Sequence, residues 1–129
     1  MTRGRRVVIT GAGTINALGQ DVASTMEAMR EGRSAIGPLE MRDLDRLTVQ
    51  IGAQVKDYDE SAHFNRQQIA LYDRFTQFTL LAAKEAMAQS GLIFAGELAA
   101  RSGVVLGTSG GGLTTQDENY RVVYEGGKN

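Results

Sequence analysis

The chain has 129 residues, of which 42% are hydrophobic and 22% charged, and its formal net charge is -1. This composition is typical of a soluble globular protein, and it excludes a disordered chain and a strongly basic nucleic-acid-binding surface. Cysteine is absent and histidine occurs once, which excludes a disulfide framework, a Cys or His zinc site and a cysteine nucleophile within this sequence.

The sequence contains no signal for a membrane. No apolar segment approaches the ~20 residues that span a bilayer, and the N-terminus lacks the order of regions found in a signal peptide. We therefore expect a cytoplasmic protein that binds neither membranes nor nucleic acids. Arg3, Arg5 and Arg6 are interpreted as a solvated N-terminal flank.

The first half of the chain predicts two strands and one helix. Residues 5–10 form a β-branched run that predicts a buried strand, followed by a glycine turn. Asp21 can cap a helix through Glu31, which Gly32 ends. Residues 34–46, which contain the only proline, are expected to form a loop. Alternating apolar residues at 49–55 then predict a strand with one exposed face.

The second half predicts two helices around one strand. Residues 57–65 are polar and read as irregular or a single helical turn, and a long amphipathic helix is predicted for residues 66–90, ended by Gly91. A second buried strand, residues 103–107, opens into a glycine loop, and a last helix is expected over residues 114–124. Alternating strands and helices indicate an α/β layered fold with a largely buried sheet.

The first glycine turn does not fit a nucleotide-binding loop. Counting from Gly11 and Gly13, the third glycine of G-x-G-x-x-G would stand where the chain has Asn16. The short-chain dehydrogenase pattern T-G-x-x-x-G-x-G fails at Ile15 and Ala17. No second strand supplies the acidic ribose-binding residue, so we expect no cofactor here and interpret the glycines as a sharp exit from a strand.

The second glycine loop does not fit a complete catalytic site. Residues 107–111 match the nucleophile elbow G-x-S-x-G with Ser109 as the nucleophile, but no histidine follows it, and His63 precedes it without a partner to orient it. A phosphate-binding loop fails because no Gly-Lys-Ser or Gly-Lys-Thr closes the run. His63 is therefore interpreted as an ordinary surface or half-buried histidine. The loop remains a flexible surface where a ligand or another chain can approach the backbone.

Four segments together match a known pattern. They are R-V-V-I-T-G-A-G with a later L-G, M-R-E-G-R-S-A-I, D-R-F-T-Q with a later S-G-L, and G-V-V-L-G-T-S-G-G-G, starting at positions 6, 29, 73 and 103. In this order and spacing they resemble the β-ketoacyl-acyl carrier protein synthases, the condensing acyltransferases of fatty acid synthesis. The resemblance covers the whole chain, residues 1–129, as the N-terminal segment of a synthase domain.

The resemblance implies a fold and an activity. The fold would be the N-terminal, incomplete part of the thiolase-like α-β-α-β-α arrangement, and the family forms homodimers. Its members catalyse decarboxylative Claisen condensation of malonyl-acyl carrier protein with an acyl thioester, using a cysteine and two histidines that lie in later sequence. No catalytic residue, metal ligand or cofactor site is therefore expected in this chain, which we expect to be inactive alone.

The resemblance also implies substrate-binding residues. The glycine loop borders the acyl chain in this family, which assigns Thr108, Ser109, Gly110 and Gly111 to substrate binding. The position of Gly110 is a gate whose bulk influences chain length; glycine there resembles type I enzymes, whereas type II enzymes often have isoleucine. Ser109 stands where glycine is usual.

The expected partners are acyl carrier protein and acyl or malonyl thioesters. Several relatives place basic residues before the M-D-R-F segment to meet the acidic carrier protein, whereas here residues 66–72 contain one charged residue, Arg66. Electrostatic steering from this segment is expected to be weak. Two alternatives remain: a noncatalytic or split-enzyme module that packs against a partner chain, and a nicotinamide-binding protein, for which we expect no NADP binding.

Overall fold

The structure is a computed structural model that describes Gly4 and residues 6–126. Within these residues the helices are α1 Val22–Arg30, α2 Arg66–Leu71, α3 Arg74–Ser90, α4 Gly96–Ala100 and α5 Leu113–Tyr124. The strands are β1 Ile36–Pro38 and β2 Ile51–Ala53, and 3-10 turns occupy Leu44–Arg46 and Glu60–Ala62. The described residues divide into two units: one contains those up to Tyr58 together with Leu81–Leu92, and the other contains Asp59–Leu80 and those from Ile93 onward.

Helix α1 begins and ends as predicted. The Asp21 side chain accepts a hydrogen bond from the Ser24 N–H at 2.7 Å, which satisfies one of the unpaired donors at the helix start. At the other end Gly32 has φ of 65°, a left-handed conformation that glycine adopts without a steric penalty.

The loop prediction for residues 34–46 is wrong in part, because β1 and a 3-10 turn lie within it. β1 pairs antiparallel with β2, with Gly37 opposite Gly52, and the predicted strand at 49–55 is confirmed over its centre. The Gln54 side chain extends this pairing by accepting the Glu40 N–H at 2.7 Å and donating to the Glu40 carbonyl at 3.2 Å. Cross-strand partners therefore decide the conformation of a segment whose own composition favours a loop.

The predicted long helix at 66–90 is two helices. Tyr72 is extended, with φ of -98° and ψ of 113°, and separates α2 from α3. The Asp73 side chain accepts the Phe75 N–H at 3.1 Å, so that α3 starts anew after this residue. The predicted end is confirmed at Gly91, whose φ is 64°. The short α4 was not predicted, whereas the last helix is confirmed as α5.

The two predicted buried strands do not form in the described residues. Residues 6–10 and 103–107 are irregular; Arg3 and Arg5 lie outside the described part of the chain. Val7 and Val105 are 94% and 100% exposed, and among the described residues only Ala28 and Gln77 are buried. A strand needs a neighbour for its backbone N–H and C=O groups and a second layer for its apolar side chains. Neither segment has such a neighbour, so the expected buried sheet is absent from this part of the chain.

One carboxylate joins two segments of the first unit to α3. Glu85 on α3 accepts the Thr14 N–H at 2.9 Å and the Val22 N–H at 2.8 Å, so a single side chain joins the glycine turn and the start of α1 to α3. The neighbouring Gln89 accepts the Ala12 N–H at 2.6 Å. Charge-assisted bonds to backbone N–H groups are stronger than bonds between neutral groups, so Glu85 contributes strongly to this unit.

Replacing Glu85 should therefore destabilise the chain. We expect Glu85→Ala to lower the free energy of unfolding by about 1–3 kcal/mol, because two backbone donors lose their acceptor. Urea denaturation followed by circular dichroism measures the change. Glu97→Ala is the matched control, since Glu97 forms an exposed ion pair with Arg101 at 3.5 Å, and it should change stability by less than about 0.5 kcal/mol. Equal effects of the two substitutions would contradict the role of Glu85.

Candidate functional site

The glycine loop, residues 107–112, lies in the second unit immediately before α5. The Thr108 hydroxyl oxygen accepts the Gly111 N–H at 2.9 Å and the Gly110 N–H at 3.4 Å, so the loop folds back on itself. Gly112 then occupies the N-cap position of α5 with φ of 85°. Three of the four predicted substrate-binding residues, Thr108, Gly110 and Gly111, are thus linked by hydrogen bonds within one turn.

Gly110 and Gly111 differ in the space that surrounds their Cα atoms. A Cβ atom on Gly111 would lie 2.7 to 2.9 Å from three ring atoms of Phe75, closer than carbon atoms can approach without displacing one another. A Cβ atom on Gly110 would lie 3.7 Å from the nearest atom of Leu113, which is ordinary contact. The position of the Phe75 ring therefore leaves no space for a Cβ atom at 111, whereas a Cβ atom fits at 110.

Asp73 connects this loop to α3. One of its carboxylate oxygens accepts the Phe75 N–H, and the other accepts the Thr115 hydroxyl in the first turn of α5. The hydrogen bond from the Thr115 side chain is the largest cause that holds the pKa of Asp73 below its ordinary value; partial burial opposes it, and backbone N–H donors reinforce it. The group therefore stays ionised, and accepts both bonds, at lower pH than a free aspartate.

Ser109 is not arranged as a nucleophile. It is exposed, and no strand precedes it within residues 103–107, so the strand-to-helix elbow that would present its hydroxyl is not formed in the described chain. Its φ is not positive, so serine is accommodated where the resemblance places a glycine. His63 is exposed at the end of a 3-10 turn, with its ring centroid 6.4 Å from that of Phe64.

The first glycine turn is closed to a phosphate group. Cβ atoms on Gly11 and Gly13 would overlap the carbonyl oxygens of Ala86 and Ala82, so these glycines allow the turn to pack directly against the backbone of α3. The start of α1, where a pyrophosphate would bind, already carries the carboxylates of Asp21 and Glu85. Two negative charges at that position repel a phosphate. The interpretation of these glycines as a sharp exit from a strand is wrong for the described residues, since residues 6–10 form no strand and residues 11–13 no turn; the glycines instead allow close packing on α3.

Sequence reasoning missed the contacts that hold the glycine loop. Asp73 and Phe75 belong to the D-R-F segment, but nothing in the sequence indicates that they contact residues 111 and 115. An aspartate followed two residues later by a free helix N–H is a recognisable capping signal. It was obscured because Asp73 falls on the polar face of an apparently continuous helix.

Neither a metal centre nor a membrane span is found in the described residues. No group of three or more His, Cys, Asp or Glu residues is placed to hold a metal ion there. None of the described helices combines the length and the apolar character required to cross a membrane.

Alanine substitutions at the two glycines should separate these roles. Gly111→Ala should lower the free energy of unfolding by about 1–3 kcal/mol, because its methyl group would collide with the Phe75 ring. Gly110→Ala should be neutral or stabilise by up to about 1 kcal/mol, because it restricts the unfolded chain without a clash. Thermal and urea unfolding measure both. A Gly111→Ala variant as stable as Gly110→Ala would contradict the described packing.

Comparison with known proteins identifies the chain's relatives. Residues 4–128 match the family of the β-ketoacyl synthase N-terminal domain. The chain is 44% identical to nodulation protein E of Rhizobium sp. (strain N33) over 119 residues, which cover 92% of this chain and 29% of that protein. It is 34% identical to 3-oxoacyl-[acyl-carrier-protein] synthase 2 of Coxiella burnetii, over 95% of this chain and 30% of that protein. It is 39% identical to a protein named putative polyketide β-ketoacyl synthase 1 of Streptomyces halstedii, over 95% of this chain and 29% of that protein.

These matches cover almost the whole chain but about three tenths of each relative. The family match includes the first glycine turn, the D-R-F segment and the glycine loop. The chain therefore belongs to the β-ketoacyl synthase family and corresponds to its N-terminal domain.

Proposed function

We propose that this chain forms the N-terminal part of a condensing enzyme that joins malonyl-acyl carrier protein to an acyl thioester in fatty acid elongation. The observation that carries the proposal is the family match over residues 4–128, which includes the glycine loop. The complete protein would have the thiolase-like layered fold and form a homodimer. The chain has no cysteine and one histidine, so the thiolate and the two histidines of the reaction would come from the remaining sequence.

The role of this segment is to form part of the wall of the acyl-chain site. Thr108, Ser109, Gly110 and Gly111 would contact the substrate, and the apolar ring of Phe75 packs against the loop at Gly111. An apolar wall favours an alkyl chain because each buried methylene contributes about 0.8 kcal/mol. A Cβ atom would fit at position 110, so packing does not explain the glycine there. We infer that glycine at 110 leaves space for the acyl chain.

Acyl carrier protein would dock with little help from the segment before the D-R-F motif. Arg66 is exposed at the start of α2, and it is the only charged residue in this helix. Its charge can steer an acidic partner only weakly at physiological ionic strength. The basic residues that receive the carrier protein would therefore lie elsewhere in the complete enzyme.

A split-enzyme module is the second candidate function. The observation that favours it is the exposure of two aliphatic runs, Val7–Val8–Ile9 and Val104–Val105–Leu106, in which every side chain is at least 60% exposed. Runs of this kind pair with strands of another layer or another chain. In this reading a second polypeptide carrying the rest of the family sequence would cover them.

The chain alone should be inactive, and joining it to the missing part should restore activity. Purified chain should form no β-ketoacyl product from malonyl- and acyl-acyl carrier protein, because it lacks a thiolate to accept the acyl group. A hybrid that carries this chain in place of the matching segment of 3-oxoacyl-[acyl-carrier-protein] synthase 2 should form it. Mass spectrometry of the carrier protein measures both reactions.

Separate expression of the two parts discriminates between the candidates. Activity that appears when the chain is mixed with the separately folded remainder would favour the split-enzyme module. Product formed by the chain alone would overturn the proposal that the nucleophile lies outside it.

Substitution at the gate should change chain-length preference. In the active hybrid, Gly110→Ile should lower kcat/KM for long acyl donors by roughly 10- to 200-fold, because branched bulk excludes methylenes from an apolar passage. Short donors should be affected little. Arg101→Ala, at an exposed site in α4's C-terminal flank, serves as the control. An equal loss for all donor lengths would show that Gly110 does not contact the acyl chain.

A further inference from the structure

We propose that Asp73 is a positioning residue: through Thr115 it holds the glycine loop against the ring of Phe75, and thereby sets the width of the acyl-chain passage at Gly110. The inference rests on the proposed function, in which this loop borders the acyl chain. It concerns residues of the second unit alone.

The start of α5 lacks a cap of its own. Its N-cap residue is Gly112, which has no side chain to accept an N–H, and the first turn contains no acidic residue. Asp73, 42 residues away in sequence, places a carboxylate at this helix start, where it accepts the Thr115 hydroxyl. A negative charge at the start of a helix is favourable, since the N–H groups there carry partial positive charge.

The same carboxylate also fixes the surface on which the loop rests. Its other oxygen accepts the Phe75 N–H at 3.1 Å, which sets the backbone that carries the Phe75 ring. Gly111 packs against this ring so closely that a Cβ atom would not fit. Asp73 therefore holds both sides of one contact: the ring through the start of α3, and the loop through the start of α5.

The gate residue lies within this held segment. Gly110 is the neighbour of Gly111, and the Leu113 side chain stands against it in the first turn of α5. Release of Thr115 would free the first turn of α5, and the positions of Leu113 and of the loop backbone would change with it. A helix cap that served stability alone would change the melting temperature without affecting the contact between Gly111 and Phe75.

The first experiment measures this contact directly in the 129-residue chain by NMR. A glycine that faces an aromatic ring shows a ring-current shift of its Hα protons, and Phe75→Leu identifies the shifted Gly111 signal. Thr115→Val and Asp73→Asn should each move that signal toward its random-coil position, and Thr115→Ser should restore it because the hydroxyl is kept. Thr115 is exposed, so its replacement leaves no cavity in a buried core.

The matched control is Asp59→Asn. Asp59 accepts the N–H and the hydroxyl of Ser61 at a 3-10 turn of the same unit, so it tests loss of a capping carboxylate without involving the loop. The Gly111 signal should stay in place in this variant. An unchanged signal in both Thr115→Val and Asp73→Asn would overturn the inference, as would an equal shift in Asp59→Asn.

The second experiment measures selectivity in the hybrid enzyme. Thr115→Val should change the ratio of kcat/KM between long and short acyl donors by about three- to tenfold, the size expected for one hydrogen bond, with Thr115→Ser close to the parent. A constant ratio despite a moved Gly111 signal would overturn the link to the passage. The NMR result does not depend on condensation activity, so a failed contact test leaves the proposed function standing, and an inactive hybrid leaves the contact test valid.

Discussion

Unpaired N–H groups at the starts of helices are the constraint on which the described structure depends. Each helix leaves such donors, and a buried or half-buried donor without an acceptor is costly. In the first unit Glu85 satisfies the start of α1 and the glycine turn together. In the second unit Asp73 satisfies the start of α3 and reaches the first turn of α5. Few side chains are buried, so these carboxylates contribute much of the connection between segments that are distant in sequence.

The two exposed aliphatic runs show why the predicted buried strands do not form in the described chain. Val7 and Val105 are almost fully exposed although they lie in strongly β-forming segments. A strand gains stability only when its hydrogen bonds and its side chains are both matched by neighbours. The matched segment is about three tenths of each relative. In the proposed enzyme the remaining sequence would provide the neighbouring strands. The glycine loop, unlike these runs, has partners within its own unit: Gly111 packs against Phe75, and Asp73 binds Thr115 in the helix that follows the loop.

Features that depend on near neighbours were predictable. The Asp21 cap, the stop at Gly32, the end of α3 at Gly91 and the last helix follow from residues within one or two turns. The family was also recognisable, since four spaced segments carry it and the match extends over residues 4–128. The break at Tyr72 was missed because the apolar periodicity continues across it, while the Asp73 side chain starts a new helix.

The sequence by itself determined the family, the absence of a thiolate from this chain and the position of the glycine loop, because each is a matter of residue type and spacing. Tertiary structure decided why the glycines are needed: Gly13 lies against the backbone of α3, and Gly111 lies against the ring of Phe75. It also decided that a Cβ atom fits at Gly110. These outcomes depend on atoms brought together from distant positions, and no local pattern of residues encodes such a contact.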